Sequence, residues 1–244
     1  MALAQPAIDT LRNREWKQTR TYLSHVNMGS LTVTQITISG VQVRIRKEAS
    51  DGLADLHRTS IERAVRTVSG AGHQLPALDF YLCSSQNVPN VAMKTYIGNN
   101  PAPVIFLGPK MWSKNPMQAG TGTMVTGGVG TSGPRGIADQ VYDGTTRFFG
   151  NPKQKAQGET IVIHELGHIL HEINNPGVFW EEQQAAEQQQ PSPNAPGWQN
   201  LATDVSHYAG NNALEFVAEV FAGTLVGKAY SQQVMAAYAA LGGP

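Results

Sequence analysis

Thr160-Ile161-Val162-Ile163-His164-Glu165-Leu166-Gly167-His168-Ile169-Leu170 is the stretch on which the reading of this chain turns. Ile161, Val162, Leu166, Ile169, Leu170 and Ile173 recur at helical spacing, and Asn174-Asn175-Pro176-Gly177 supplies a stop. On a helix His164 and His168 differ by about 40° of rotation and one turn of rise, so both imidazoles can converge on one ion. Glu165 points to the edge of the same site and can reach a water there without being a ligand. The H-E-x-x-H pattern therefore has a mechanism: two neutral nitrogen donors hold zinc, and the carboxylate takes a proton from water. The competing reading is two ordinary histidines on a helix. The apolar flanks oppose it, because they bury the segment, and unpaired buried histidines are costly. Gly167 leaves room for a close neighbour, either the sheet or the last helix.

Two histidines do not complete a catalytic zinc site, which needs a third protein ligand. His171 lies roughly 10 Å from His164 along the helix axis, too far for one ion to collect all three. The longer pattern H-E-x-x-H-x-x-G-x-x-H is also broken, since His171 stands at its glycine and Asn174 at its last histidine. His171 is therefore read as a supporting or structural residue. Downstream, Glu215 and Glu219 share one helix face at i,i+4 amid Phe216, Val217, Val220 and Phe221. Carboxylates in so apolar a segment need partners. Zinc ligation by one and a hydrogen bond to a liganding histidine by the other would satisfy both. A simply wet helix face is the alternative.

The block Val205-Ser206-His207-Tyr208-Ala209-Gly210-Asn211-Asn212-Ala213-Leu214-Glu215-Phe216-Val217-Ala218-Glu219-Val220-Phe221-Ala222 resembles the distal half of the catalytic domain of anthrax-lethal-factor-like zinc metallopeptidases. The clostridial Pro-Pro endopeptidases share that general plan. In the group, a tyrosine precedes the glutamate ligand by seven residues in a Tyr…Glu-Phe-Phe-Ala-Glu-Ala-Phe context. Tyr208 and Glu215 have that spacing, and Glu219 stands at the second acid. The resemblance covers residues 155–225. It implies a gluzincin-type site with His164, His168 and Glu215 as zinc ligands and Glu165 as general base. Tyr208 would donate to the oxyanion, and Glu219 would support the ligands from behind. Val217 and Val220 depart from the typical Phe and Ala, and a Gln/Pro-rich stretch at 181–197 separates the two blocks. His207 is a weaker oxyanion donor, since neighbours in an extended segment face opposite ways.

Around these blocks the pattern predicts an α+β, zincin-like fold. A small twisted mixed sheet would pack on the active-site helix, with a helical C-terminal part across the cleft. Leu31, Val33, Ile36, Ile38, Val41, Val43 and Ile45 near-alternate, with Gly40 marking a turn between two strands. Residues 52–69 read as an amphipathic helix, and 77–83 and 103–108 as further strands, the latter a candidate edge for binding an extended substrate. Residues 1–30 are expected as an N-terminal extension or arm, with a short helix around Leu11 to Leu23. A single catalytic domain then fills 31–244, with a flexible, solvated insertion near 181–197. The Gly/Thr/Ser-rich stretch Gln118 to Asp139 reads as a long loop or lid. Helices are expected near Asn212 and over 231–241.

The chain has 244 residues, 18 basic and 18 acidic, so its total charge gives no reason to expect nucleic acid or an anionic membrane as partner. No run is long enough to span a bilayer, and Met1 to Thr10 lacks the pattern of a signal peptide. Cys83 is the only cysteine, which makes an intramolecular disulfide impossible. A secreted or delivered toxin or effector is compatible with these features, as is a protein that stays in its own cell. The expected function is a zinc-dependent endopeptidase acting on protein or peptide substrates. The alternatives are an inactive zinc-binding interaction protein and a metal hydrolase of a non-peptide amide.

Overall fold

Leu31–Ile38 (β1) and Val41–Glu48 (β2) form an antiparallel hairpin with every residue paired, from Ile38 opposite Val41 to Leu31 opposite Glu48. Its two turn residues, Ser39 and Gly40, both have positive φ (49° and 83°), the backbone that lets a two-residue loop follow the twist of its strands. The computed structural model describes residues 5–48, 54–83, 91–93, 103–107 and 152–244. Gln118 to Asp139 lie outside the described residues.

From β2 the chain crosses through helix α2 (Ala54–Gly70) to a parallel strand, β3 (Leu78–Leu82). A parallel neighbour requires such a crossover, because a tight turn can only reverse direction. Strand β4 (Val91–Met93) pairs antiparallel with β5 (Val104–Leu107), and β5 pairs parallel with β3. The fold is thus α+β, with a mixed sheet in the order β1-β2-β3-β5-β4. Strand β5 has neighbours on both sides, so residues 103–108 are not an edge. Among the described residues the edge on that side is β4, which lies alongside the helix carrying His164.

One sheet face presents Val43, Ile45, Leu78, Phe80, Leu82, Ile105 and Leu107 to Ile61, Ala64, Val65 and Val68 of α2 and to helix α3 (Pro152–Asn174). The exposed side of α2 carries Arg58, Arg63 and Arg66, as its period requires. The opposite face bears Tyr81, Cys83, Val104 and Phe106, covered by Tyr22, Leu23 and Val26. Tyr22 belongs to helix α1 (Gln5–Ser24), whose other end packs Leu11 on Phe179, Trp180 and Leu214. Within the stretch expected as an extension or arm, Gln5–Ser24 is a 20-residue helix packed on the body of the protein, longer than the short helix expected around Leu11 to Leu23.

The stretch expected as a solvated insertion contains regular structure, while residues 187–191 are exposed. Pro176–Glu187 forms helix α4, with Phe179, Trp180, Glu182 and Ala185 buried. The buried Glu182 carboxylate accepts hydrogen bonds from Ser192 Oγ (2.8 Å), Asn194 N (3.2 Å) and Asn194 Nδ2 (2.9 Å), tying the Pro-rich return to the helix. A Gln/Pro-rich composition gives no sign of these hydrogen bonds to a buried carboxylate. Helices α5 (Gln199–Val205), α6 (Ala213–Leu225) and α7 (Gln232–Ala240) complete the chain. No helix among the described residues is long and apolar enough to cross a membrane.

Helix α6 crosses α3 closely at Gly167. A Cβ placed there would sit 2.8 Å from Phe221 Cδ1, with Phe221 Cγ and Cβ close behind. The room left by Gly167 is taken by the last element expected from sequence. Gly167→Ala should destabilise the protein by about 1–3 kcal/mol through overpacking. Urea unfolding measures this, and an unchanged midpoint would mean that the two helices separate freely.

Candidate metal centre

Helix α3 supplies one half of the site. His164, Glu165 and His168 are each 8% exposed, beside the fully buried Val162, Ile163 and Leu166. Helix α6 supplies the other half, and its start is fixed locally. Asn212 has extended backbone (φ −164°, ψ 170°), and its side chain accepts a hydrogen bond from Glu215 N at 3.0 Å. This N-cap satisfies a first-turn amide and sets where Glu215 lies on the helix.

The two halves meet at one carboxylate oxygen. Glu215 Oε2 is 3.1 Å from His164 Nε2 and 3.3 Å from His168 Nε2. The imidazole rings lie 4.8 Å apart, nearly perpendicular. One ligand atom from each of His164, His168 and Glu215 can be chosen so that all three lie within 4.8 Å of one another. Behind His164, its Nδ1 is 2.8 Å from Glu219 Oε1. Glu219 is only 3% exposed, so it does not sit on a wet helix face. The two carboxylates thus divide as their chemistry allows: Glu215 faces both Nε2 atoms, and Glu219 holds one ring from its far side.

The donor set suits a divalent ion of the zinc type, with two imidazole nitrogens, one carboxylate oxygen and no thiolate. Cys83 is buried on the far face of the sheet and belongs to the hydrophobic packing there.

Tyr208 opens a 3₁₀ turn, Tyr208–Gly210, between α5 and α6, and its ring lies 5.8 Å from that of His164. Burial, then the charges of Glu215, Glu165 and Glu219, push the Tyr208 phenol well above the ordinary tyrosine range. It therefore keeps its proton and can donate it in a hydrogen bond. His207 is not in extended backbone (φ −62°, ψ −35°) and is exposed, so strand alternation does not govern its direction. His171 lies outside the cluster: it is fully buried, with its ring against Phe179 at 5.3 Å.

The charges of these side chains depend on one another. Burial lowers the His164 pKa, but hydrogen bonds and charges from Glu215 and Glu219 outweigh it and hold it well above the usual histidine range. Burial raises the Glu215 carboxyl, but the His168 charge and hydrogen bonds to both histidines hold it well below the usual carboxylate range. The signs define a window. The His164 contribution to stability is complete below its unfolded pKa of about 6.5 and fades as pH rises through the raised value. The Glu215 contribution is complete above about 4.3 and is lost as pH falls through the depressed value. A metal ion needs both imidazoles neutral, so uptake near pH 7 should release protons, among them the one that Glu215 and Glu219 hold on His164. Titration calorimetry in buffers of different ionisation enthalpy reads this release, and zero release would contradict the raised His164 pKa.

Sequence reasoning missed Ser206. Its hydroxyl donates to Glu219 Oε2 at 2.7 Å and accepts from Ala209 N at 3.0 Å. Its only signal was a small polar residue two positions before Tyr208. Compared with known proteins, the chain matches no family model, no curated protein and no solved structure, and the site therefore stands on its own geometry.

Proposed function

We propose that this chain is a zinc-dependent endopeptidase of the gluzincin type, with a zincin-like fold and a plan similar to that of anthrax-lethal-factor-like metallopeptidases. One observation carries the reading. Two sequence blocks about fifty residues apart bring His164 Nε2, His168 Nε2 and Glu215 Oε2 together, with Glu219 backing His164.

His164, His168 and Glu215 would hold the zinc. Bound there, zinc would supply Lewis acidity toward water and the scissile carbonyl. Glu165 takes the proton from the attacking water and returns it to the leaving amine nitrogen. Tyr208 donates its phenolic hydrogen to the oxygen on which negative charge develops. Strand β4, paired on one side only among the described residues, offers an edge near α3 for backbone pairing with an extended peptide.

Glu165 and Tyr208 also separate this reading from a zinc-holding interaction protein, since neither is needed merely to bind the ion. A digest of a peptide library by the zinc-loaded protein, read by mass spectrometry, tests the proposal. Cleavage at defined bonds that stops on chelation is the expected result. Zinc uptake without cleavage of any peptide would overturn it in favour of a binding protein or a hydrolase of another amide.

A further inference from the structure

Ser206 links the proposed zinc ligand His164 to the turn that carries Tyr208. It is 3% exposed, at the end of α5, with extended backbone (φ −167°, ψ 163°). A hydroxyl has one hydrogen to give, and this one goes to Glu219 Oε2 at 2.7 Å. That commitment turns the oxygen lone pairs toward the 3₁₀ turn, where Ala209 N donates at 3.0 Å. The other Glu219 oxygen is the one 2.8 Å from His164 Nδ1. A continuous path thus runs from turn backbone through Ser206 and Glu219 to the imidazole. Two further hydrogen bonds hold the backbone beside Ser206 and at Glu219. Lys228 Nζ donates to Val205 O at 2.6 Å, and Tyr230 OH reaches Glu219 O at 3.4 Å.

We propose that Ser206 is a positioning residue that holds the Glu219 carboxylate against His164 and the Tyr208 turn against that same carboxylate. One hydroxyl then fixes the metal-facing imidazole and the oxyanion donor in a common frame. Replacing it with a methyl group removes a charge-assisted hydrogen bond to Glu219 and the acceptor for a buried amide. Both the ring orientation and the turn would loosen together. The inference rests on the zinc-peptidase reading and adds to it a residue outside both motifs.

The test uses the full chain as Ser206→Ala and Ser206→Thr. Zinc affinity is measured by competition with a chromophoric chelator, and kcat and KM on a peptide that the wild type cleaves. Ser206→Ala should weaken zinc binding by about 10–100-fold, the usual effect of losing a group that orients a ligand. At saturating zinc it should also lower kcat with little change in KM. Ser206→Thr keeps the hydroxyl and should restore both. In a Glu219→Gln background, Ser206→Ala should add little further loss of zinc affinity, because it acts through that carboxylate. Should the alanine variant fail to fold, Ser206→Cys, with its weak donor, should give an intermediate zinc affinity. Wild-type zinc affinity and kcat in Ser206→Ala or Ser206→Cys would overturn the proposal. A wild type that takes up no zinc would instead fail the functional reading itself, and this inference with it.

Discussion

Glu165→Gln is expected to slow peptide hydrolysis by about 10²–10⁴-fold, the range that positioned general acid–base groups contribute, while zinc stoichiometry stays that of the wild type. The substitution conserves size and hydrogen-bonding shape but removes the ability to accept and return a proton. Glu165 lies between the two histidines on α3, yet the metal-facing cluster is formed by His164, His168 and Glu215 without it. Its charge nevertheless helps to raise the Tyr208 phenol. Loss of rate and retention of metal should therefore separate cleanly. Steady-state kinetics with parallel metal analysis makes the test. A variant with full activity would remove Glu165 from the mechanism, and one with no zinc would move it into the ligand set.

Glu215→Ala should weaken zinc binding by more than about 100-fold, beyond the 10–100-fold expected of Glu219→Ala. The difference follows from what each carboxylate faces. Glu215 Oε2 approaches both imidazole Nε2 atoms, so its removal leaves two ligands where three are needed. Glu219 reaches only Nδ1 of His164, so its removal leaves the ligand set whole but one ring less firmly oriented. The comparison also guards against a misread helix, since both variants delete an acid from the same face of α6. Equal losses would mean that the two acids share the ion. A larger loss for Glu219→Ala would exchange their roles.

The parts of the fold set by short-range pattern were legible from sequence. The β1–β2 hairpin with its turn at Gly40, the apolar stripe of α2 and the H-E-x-x-H helix all follow from period and breaker residues. Pattern fails where one long-range contact decides. The polar helix α1 gave only weak periodicity, because few of its residues are buried and its ends rest on two separate apolar clusters. Residues 181–197 looked solvated, because a Gln/Pro-rich composition does not reveal that Glu182 will be enclosed by Ser192 and Asn194. Strand β5 looked like an edge because β4 is three residues long, too short for alternation to show. In the site, the spacing His164–His168 and Glu215–Glu219 brought the right faces together. Residue spacing alone left the roles of the two acids open, and only the resemblance assigned Glu215 to the ion and Glu219 to the support; Ser206, whose partner lies thirteen residues away on another helix, needed the geometry.

The central claim is that His164, His168 and Glu215 hold a zinc ion on which peptide hydrolysis depends. Its most direct test is to strip the protein with chelator and restore zinc in steps while following cleavage of one defined peptide. Activity should be absent at the start, rise in proportion to added zinc, and level off at one equivalent. Hydrolysis that survives stripping, or that stays absent at full zinc occupancy, would contradict the account.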